Sequence, residues 1–150
     1  MDMADDLNTT KIKTIVHIIP NSNKIYIDYQ LFKQYANPSN YNILINEFAS
    51  TINKIKESYK MYEIHVNLFK FTSKSMKDYY SFSQLLYNMQ ACDMNDVICL
   101  VAYNVSLLVN SISQLFVKYV GAEFKNKLIL HERDASNKLL DVLLVNNFFV

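Results

Sequence analysis

The sequence is poor in the residues that build several common binding sites. It contains no tryptophan, a single glycine (Gly121) and two prolines. A phosphate-binding loop of the Walker or dinucleotide type needs several glycines close together, so sites of that kind are excluded. The two cysteines, Cys92 and Cys99, lack the Cys-x-x-Cys spacing of metal and redox sites. They predict buried thiols in a reducing compartment rather than a disulfide framework.

Charge is scarce and evenly balanced. Charged residues make up 19% of the 150 residues, and 15 basic groups against 14 acidic groups give a formal net charge of +1. This balance provides no general attraction to nucleic acid or to an anionic membrane. Arg133 is the only arginine, and the abundance of Lys, Asn, Ile and Tyr is typical of AT-rich genomes, including those of giant viruses.

Hydrophobic residues make up 51% of the chain, which is enough for one compact core. No window of about 18 residues is continuously apolar, so no transmembrane segment is predicted. The apolar run Ile15–Ile19 is too short for a signal sequence, and we expect a cytoplasmic protein. The predicted organisation is a flexible N-terminus over residues 1–10, followed by a single domain over residues 11–150.

Hydrophobic periodicity predicts alternating strands and helices. The predicted strands are Lys11–Ile19, Lys24–Tyr29, Tyr62–Phe71, Asp96–Tyr103 and Lys127–His131. The predicted helices are Gln30–Ala36, a long helix that ends near Tyr59 and is capped by Ser39 or Asn40, Thr72–Gln90, Ser106–Val120 and Ala135–Val145. The first two strands form an N-terminal β-hairpin across the turn at Pro20–Asn23. Short connections between the later elements imply right-handed crossovers. The fold class is therefore an α/β domain with a mixed, mostly parallel sheet and helices packed on it.

One predicted strand is expected to lie at the centre of the core. Asp96–Tyr103 is nearly all apolar, as expected of a central parallel strand that is covered on both faces. Val97, Ile98, Leu100 and Val101 are therefore predicted to be almost inaccessible to solvent.

The residues that could carry catalysis are isolated from one another. The three histidines, His17, His65 and His131, lie in or at the end of predicted strands, and none has a second ligand at metal-binding spacing. We interpret them as histidines that face solvent or form hydrogen bonds within the sheet; the alternative is a metal or acid–base site at the strand ends. The acidic residues fall singly, so no carboxylate pair is specified. We therefore predict no cofactor, no catalytic metal and no enzymatic activity.

Aromatic residues are abundant, with 11 Tyr and nine Phe. An aromatic sheet face with interleaved basic residues can stack single-stranded bases. Here most aromatics fall on helical stripes together with Leu and Ile, which is the periodicity of a core. Nucleic acid is therefore not a predicted partner.

The stretch Tyr103–His131 resembles the most characteristic segment of CRAL-TRIO (Sec14-like) domains. In that family a buried strand ends in an Asn-containing turn, and an apolar helix, a bend and a basic turn lead to a short strand. Asn104 stands at the position of the family's Asn. Phe116 and Tyr119 stand at the positions of its helix aromatics, and the run Lys125–Leu128 stands at the position of its Lys-Lys-Ile run. Tyr62–Phe71 with the following Thr72 and Ser73 resembles the central strand and its loop, and Asn137–Leu144 resembles the short Leu-rich helix.

The resemblance covers roughly residues 60–145, and this sequence differs from the family pattern at several positions. Ser106 replaces the family's proline after the Asn, the proline of the bend is absent from Lys118–Val120, and the preceding helical region is missing. What remains resembles the minimal βα core shared with STAS (SpoIIAA-like) domains. The Asp-Ser-Ser-Gly turn of phosphorylatable STAS proteins is not present at Phe71–Ser75.

The resemblance implies a non-enzymatic binding module. CRAL-TRIO domains bind lipids or other small hydrophobic molecules between the sheet and a mobile gate helix, which corresponds by position to Ser106–Val120. Apolar residues cover more than one stripe of this helix, which suggests a second buried contact. The predicted ligand or partner contacts are Leu107, Leu108, Ile112, Leu115, Phe116 and Tyr119. A protein partner or homodimer without ligand is one alternative, and a small enzyme with its site near Asn104 and His131 is another.

Overall fold

A five-stranded sheet forms the centre of the protein. The computed structural model describes residues 9–72, 94–105 and 126–145. The strands are β1 (Val16–Ile18), β2 (Lys24–Asp28), β3 (Tyr62–Asn67), β4 (Val97–Tyr103) and β5 (Leu128–Leu130), and they lie side by side in chain order. β1 pairs antiparallel with β2, whereas β2, β3, β4 and β5 run parallel to one another. The predicted mixed, mostly parallel sheet with an N-terminal hairpin is confirmed.

Helices pack on both faces of this sheet. Within the described residues they are α1 (Thr9–Ile15), α2 (Tyr29–Tyr35), α3 (Tyr41–Lys56) and α4 (Arg133–Leu144), with a 3-10 turn at Met94–Asp96. The first three bury their apolar side chains against one face, which we call the front face. α4 packs Leu140, Leu143 and Leu144 against the other, the back face. Among the helices of the described residues, none is long and apolar enough to cross a lipid bilayer.

The N-terminal strand is much shorter than predicted. Lys11–Ile15 belongs to helix α1, and only Val16–Ile18 forms strand β1. The β-branched residues favour a strand locally, but Ile12 and Ile15 are one helical turn apart and both are buried in the front-face core. β propensity is weak, and burial of this helical pair overrides it. The prediction of a strand over Lys11–Ile19 was therefore wrong for its first half.

Helix α3 confirms the predicted long helix, with two differences at its ends. It ends at Lys56 rather than near Tyr59. Asn40 occupies the N-cap position, but its side chain makes no capping bond to α3. Its amide instead donates to the carbonyl of Tyr35 at 2.8 Å and accepts from the N–H of Asn37 at 2.9 Å. Asn40 therefore fixes the turn between α2 and α3.

Strand β4 is buried as predicted, except at one residue. Val97, Leu100 and Val101 are 0%, 6% and 5% exposed, but Ile98 is 44% exposed. The pairing with β3 jumps from Tyr62–Val97 to Glu63–Cys99, so Ile98 is an extra residue at a bulge. A bulged residue is left out of the ladder and turned away from its neighbours. The prediction that Ile98 is inaccessible was therefore wrong.

Strand β3 also ends earlier than the sequence pattern indicates. It stops at Asn67, and a turn follows in which the N–H of Phe71 donates to the carbonyl of Leu68 at 2.9 Å. Lys70 takes a left-handed conformation in this turn, with φ of 67°. The polypeptide therefore leaves the sheet before Phe71.

Several predictions fall outside the described residues. These are residues 1–8 of the predicted flexible N-terminus (1–10), residues 73–90 of the predicted helix Thr72–Gln90, and the predicted helix Ser106–Val120. The boundaries of the predicted domain, 11–150, likewise stay a prediction.

Candidate functional site

The carboxyl-terminal part of the front face presents an apolar surface on strands β3, β4 and β5. We call it the apolar floor, and it consists of Val66, Leu100, Ala102, Leu128 and Leu130. The register aligns Leu100 with Leu128 and Ala102 with Leu130, which places these side chains on one face. All five belong to the front-face core or pack against it.

Burial of the front face is complete at the centre of the sheet and incomplete at β5. Ile25 on β2 and Ile64 on β3 are fully buried, at 0% and 4% exposure, and helix α3 lies over the β1 side of the sheet. Leu128 and Leu130 on β5 are only half-buried. The β5 side of the floor therefore has apolar surface left to cover.

The back face of the same strands carries polar side chains at the alternate positions. Glu63, His65 and Asn67 point to this face from β3, and Tyr103 points to it from the neighbouring strand β4. The Nδ1 atom of His65 lies 2.7 Å from the hydroxyl of Tyr103, and its Nε2 atom lies 2.8 Å from Oε1 of Glu63. The rings of His65 and Tyr103 are stacked, with centroids 5.8 Å apart. We call Glu63, His65 and Tyr103 the polar row.

Burial determines the protonation state of His65 in the polar row. His65 is 5% exposed, and this burial lowers the pKa of its imidazole below the ordinary value of 6.5, against the opposing hydrogen bond to Glu63. The imidazole is therefore neutral at pH 7. An ionised carboxylate only accepts hydrogen bonds, so Nε2–H donates to Glu63 and Nδ1 accepts from the Tyr103 hydroxyl.

Tyr103 and Cys99 on the back face also keep their protons at neutral pH. Burial raises the pKa of Tyr103 to about 12, and the nearby Glu63 carboxylate contributes to the shift. Burial likewise raises the pKa of the half-buried Cys99 thiol. A protonated thiol is a poor nucleophile, and a histidine with both nitrogens engaged is not a free base. The polar row is therefore suited to holding the sheet together rather than to proton transfer.

A second set of polar contacts closes the carboxyl edge of the sheet. The side-chain oxygen Oδ1 of Asn67 accepts from Nδ2 of Asn104 at 2.8 Å, and Nδ2 of Asn67 donates to the hydroxyl of Tyr26 at 3.2 Å. Asn104 has a left-handed backbone, with φ of 58°, and Asn tolerates this conformation better than most residues. The Asn after the strand, singled out by the sequence, thus locks β2, β3 and β4 together.

The residues of the predicted enzyme alternative do lie at one edge. The N–H of Val105 donates to the carbonyl of His131 at 3.0 Å, and the His131 ring lies 5.6 Å from the ring of Tyr103. The side chain of Asn104, however, is engaged by its bond to Asn67. In the described part of the chain, no three His, Cys, Asp or Glu side chains are grouped so that they could hold a metal ion.

The predicted contact residues are Leu107, Leu108, Ile112, Leu115, Phe116 and Tyr119, and all lie outside the described residues. The structure adds the apolar floor and the polar row, which the sequence did not single out as sites. The alternation of Glu63, His65 and Asn67 in β3 was a signal for the polar row. The position of Tyr103 beside them depends on the register between two strands that are distant in sequence. His65 agrees with the interpretation of a histidine that forms hydrogen bonds within the sheet.

Comparison with solved structures supports the resemblance at the level of the fold. The structure is similar to the crystal structure of Sfh5, a Sec14-family protein, with a TM-score of 0.56 over 83% of this chain and 10% sequence identity. The match covers 49% of the Sfh5 chain, so this chain spans about half of that length. No protein-family model matches the sequence, and no curated protein matches it. The chain therefore has a Sec14-like fold.

Proposed function

We propose that this chain is a non-enzymatic binding module that holds an apolar ligand, such as a lipid, between the apolar floor and the segment 106–120. The observation that carries the proposal is the half-buried apolar surface of Leu128 and Leu130 beside a buried sheet core. The contacts proposed on the segment are Leu107, Leu108, Ile112, Leu115, Phe116 and Tyr119.

The order of the strands supports this placement. The connections from β2 to β3 and from β4 to β5 each lead to the neighbouring strand, and both advance in the same direction across the sheet. Parallel crossovers are right-handed, so the connection from β4 to β5 is expected on the face that carries α3. That connection contains the segment 106–120, and the face is the one with the apolar floor.

The fold is a second support. CRAL-TRIO domains, which the sequence resembles, bind small hydrophobic molecules between the sheet and a gate helix. An apolar surface of this kind favours the binding of an apolar ligand, because contact removes water from both apolar surfaces. Glu63, His65 and Tyr103 are bonded to one another and the Cys99 thiol stays protonated, so these groups offer no activated nucleophile or free base, which supports binding over catalysis.

The experiment uses the absence of tryptophan from the sequence. Leu130→Trp puts one fluorophore on the apolar floor, and Ile129→Trp puts one on the opposite face of the same strand, where Ile129 is 43% exposed. The delipidated full-length variants are mixed with phosphatidylcholine that carries brominated acyl chains, which quench tryptophan only at contact range. We expect strong quenching for Leu130→Trp and little for Ile129→Trp.

Two further measurements separate the alternatives. Native mass spectrometry of the unmodified chain is expected to show a monomer with bound lipid, and Ile112→Asp is expected to remove that lipid while circular dichroism shows a folded protein. A doubled mass that Ile112→Asp returns to a monomer would instead identify a homodimer without ligand. Equal quenching of the two tryptophan variants, with no lipid in the spectrum, would refute the proposal.

A further inference from the structure

Strand β5 is the last strand of the sheet. Among the described residues, no strand pairs with its outer side. The bonds just after its carboxyl end show how its backbone is turned. The N–H of His131 donates to the carbonyl of Ala102 at 2.9 Å, and the carbonyl of His131 accepts from the N–H of Val105 at 3.0 Å. Both main-chain groups of His131 therefore face β4.

The main-chain groups of β5 itself follow from this observation, because they alternate between the two sides of a strand. Ile129 precedes His131 by two residues, so its N–H and C=O also face β4, where its register partner is Val101. The N–H and C=O groups of Leu128 and Leu130 therefore face the outer side. A strand edge of this kind is a template for another strand.

Apart from its short length, β5 has none of the features that protect edge strands from pairing. Such strands carry Lys, Pro or an inward-pointing charge, whereas Leu128, Ile129 and Leu130 are all apolar. The Ile129 side chain is 43% exposed on the back face. The three residues of β1, at the opposite end of the sheet, are buried or half-buried. The β5 edge therefore exposes more apolar surface than the β1 edge.

We propose that β5 pairs antiparallel with β5 of a second copy of this chain, about a twofold axis at Ile129. In this register Leu128 of one copy and Leu130 of the other exchange N–H···O=C bonds, and the symmetry repeats the pair. The two Ile129 residues form the non-hydrogen-bonded pair between them, in which the Cα atoms lie about 4.5 Å apart. Their side chains then cover each other. The two five-stranded sheets become one continuous sheet.

The charges at the two ends of β5 are complementary in this arrangement. Lys127 directly precedes the strand. Glu132 and Asp134 follow it, with Arg133 between them, so the carboxyl end carries more negative than positive charge. Antiparallel pairing places the basic end of one copy beside the acidic end of the other, twice by symmetry. This self-complementarity favours a second copy of the chain over an unrelated extended peptide.

The pairing is short, so the dimer is expected to be weak. Three-residue strands bury much less surface than the roughly 1,000 Å² of a stable interface. We expect half-dimerisation on the order of 100 µM, and therefore a monomer at the low micromolar concentrations of native mass spectrometry. The contact uses the backbones of Leu128 and Leu130 and leaves their side chains on the apolar floor. The dimer and the apolar ligand are therefore independent.

Sedimentation equilibrium of the full-length chain, from about 10 µM to about 1 mM, tests the dimer. The mass is expected to rise toward twice that of the monomer. Ile129→Lys places like charges opposite each other at the twofold axis and should abolish this rise. Ile43→Lys is the matched control, at a residue of α3 that is 45% exposed, and should leave the rise unchanged. Ile112→Asp should leave it unchanged as well, because the segment 106–120 does not form this contact.

Cysteine cross-linking tests the register. In a chain that carries Cys92→Ala and Cys99→Ala and is folded by circular dichroism, Ile129→Cys places two thiols at a Cα separation that suits a disulfide. Mild oxidation is expected to give a covalent dimer, which Ile43→Cys should not form. A mass that never rises, a rise that Ile129→Lys leaves intact, or equal cross-linking at positions 129 and 43 would overturn the proposal. None of these results would change the tryptophan quenching, which tests the apolar ligand separately.

Discussion

The backbone N–H of Asn104 donates to the hydroxyl oxygen of Ser136 at 2.7 Å, across 32 residues of sequence. Ser136 is fully buried, and its hydroxyl in turn lies 2.6 Å from the carbonyl of Glu132, to which it donates. This one side chain therefore ties the end of β4 to the first turn of α4. Because Asn104 also bonds to Asn67 on β3, the link extends over three elements.

Ser136→Ala is expected to destabilise the protein. The substitution leaves the Asn104 N–H without its acceptor in a buried site, which costs about 1–3 kcal/mol in the free energy of unfolding. The measurement is urea denaturation followed by circular dichroism. Asn137→Ala, at the exposed neighbouring position, should change the free energy by no more than about 0.5 kcal/mol. Equal effects of the two substitutions would contradict the role of Ser136.

Leu100→Ala and Ile98→Ala test the bulge in β4. Leu100 is 6% exposed and belongs to the front-face core, so its truncation is expected to cost about 2–5 kcal/mol. Ile98 is excluded from the ladder and exposed, so its truncation should cost less than about 1 kcal/mol. Chemical denaturation of both variants measures the difference. A larger loss for Ile98→Ala would place the bulge elsewhere.

Stability should fall in mild acid because of His65. Its folded-state pKa lies below 6.5, so the unfolded chain binds the proton more readily than the native one. The contribution of His65 is therefore complete above about pH 6.5 and is lost as the pH falls through the folded-state pKa, with a slope of at most about 1.4 kcal/mol per pH unit. Denaturation at pH 7 and pH 5 should show a smaller loss for His65→Gln than for the unmodified chain. The same loss in both proteins would assign the acid sensitivity to other groups.

Tyr103→Phe tests the hydrogen bond within the polar row. It removes the hydroxyl that donates to Nδ1 of His65 and keeps the ring, so the buried nitrogen loses its partner at a cost of about 1–3 kcal/mol. Thermal and urea unfolding measure this cost. Tyr59→Phe, at a residue that is 38% exposed, serves as the control with little expected change. If the two variants are equally stable, the contact with His65 contributes nothing.

Strand β3 shows which features the local sequence pattern could predict. Tyr62 and Ile64 alternate with Glu63 and His65, and this period of two correctly predicted β3 with one buried apolar face. The same pattern gave no sign that His65 on the polar side is buried as well. That depends on Tyr103 of β4, which the register places beside Asn67, and on leucines of α4 that pack on the back face.

The sequence by itself determined the order and type of most elements, the antiparallel hairpin and the parallel sheet, because hydrophobic periodicity and short connections are local properties. Tertiary structure decided the rest. Burial of Ile12 and Ile15 turned a β-branched segment into a helix, and one extra residue at Ile98 changed which side chains of β4 are buried. The Asn104–Ser136 link joins residues that are distant in sequence, and such contacts follow from strand register and helix packing, which no local pattern encodes.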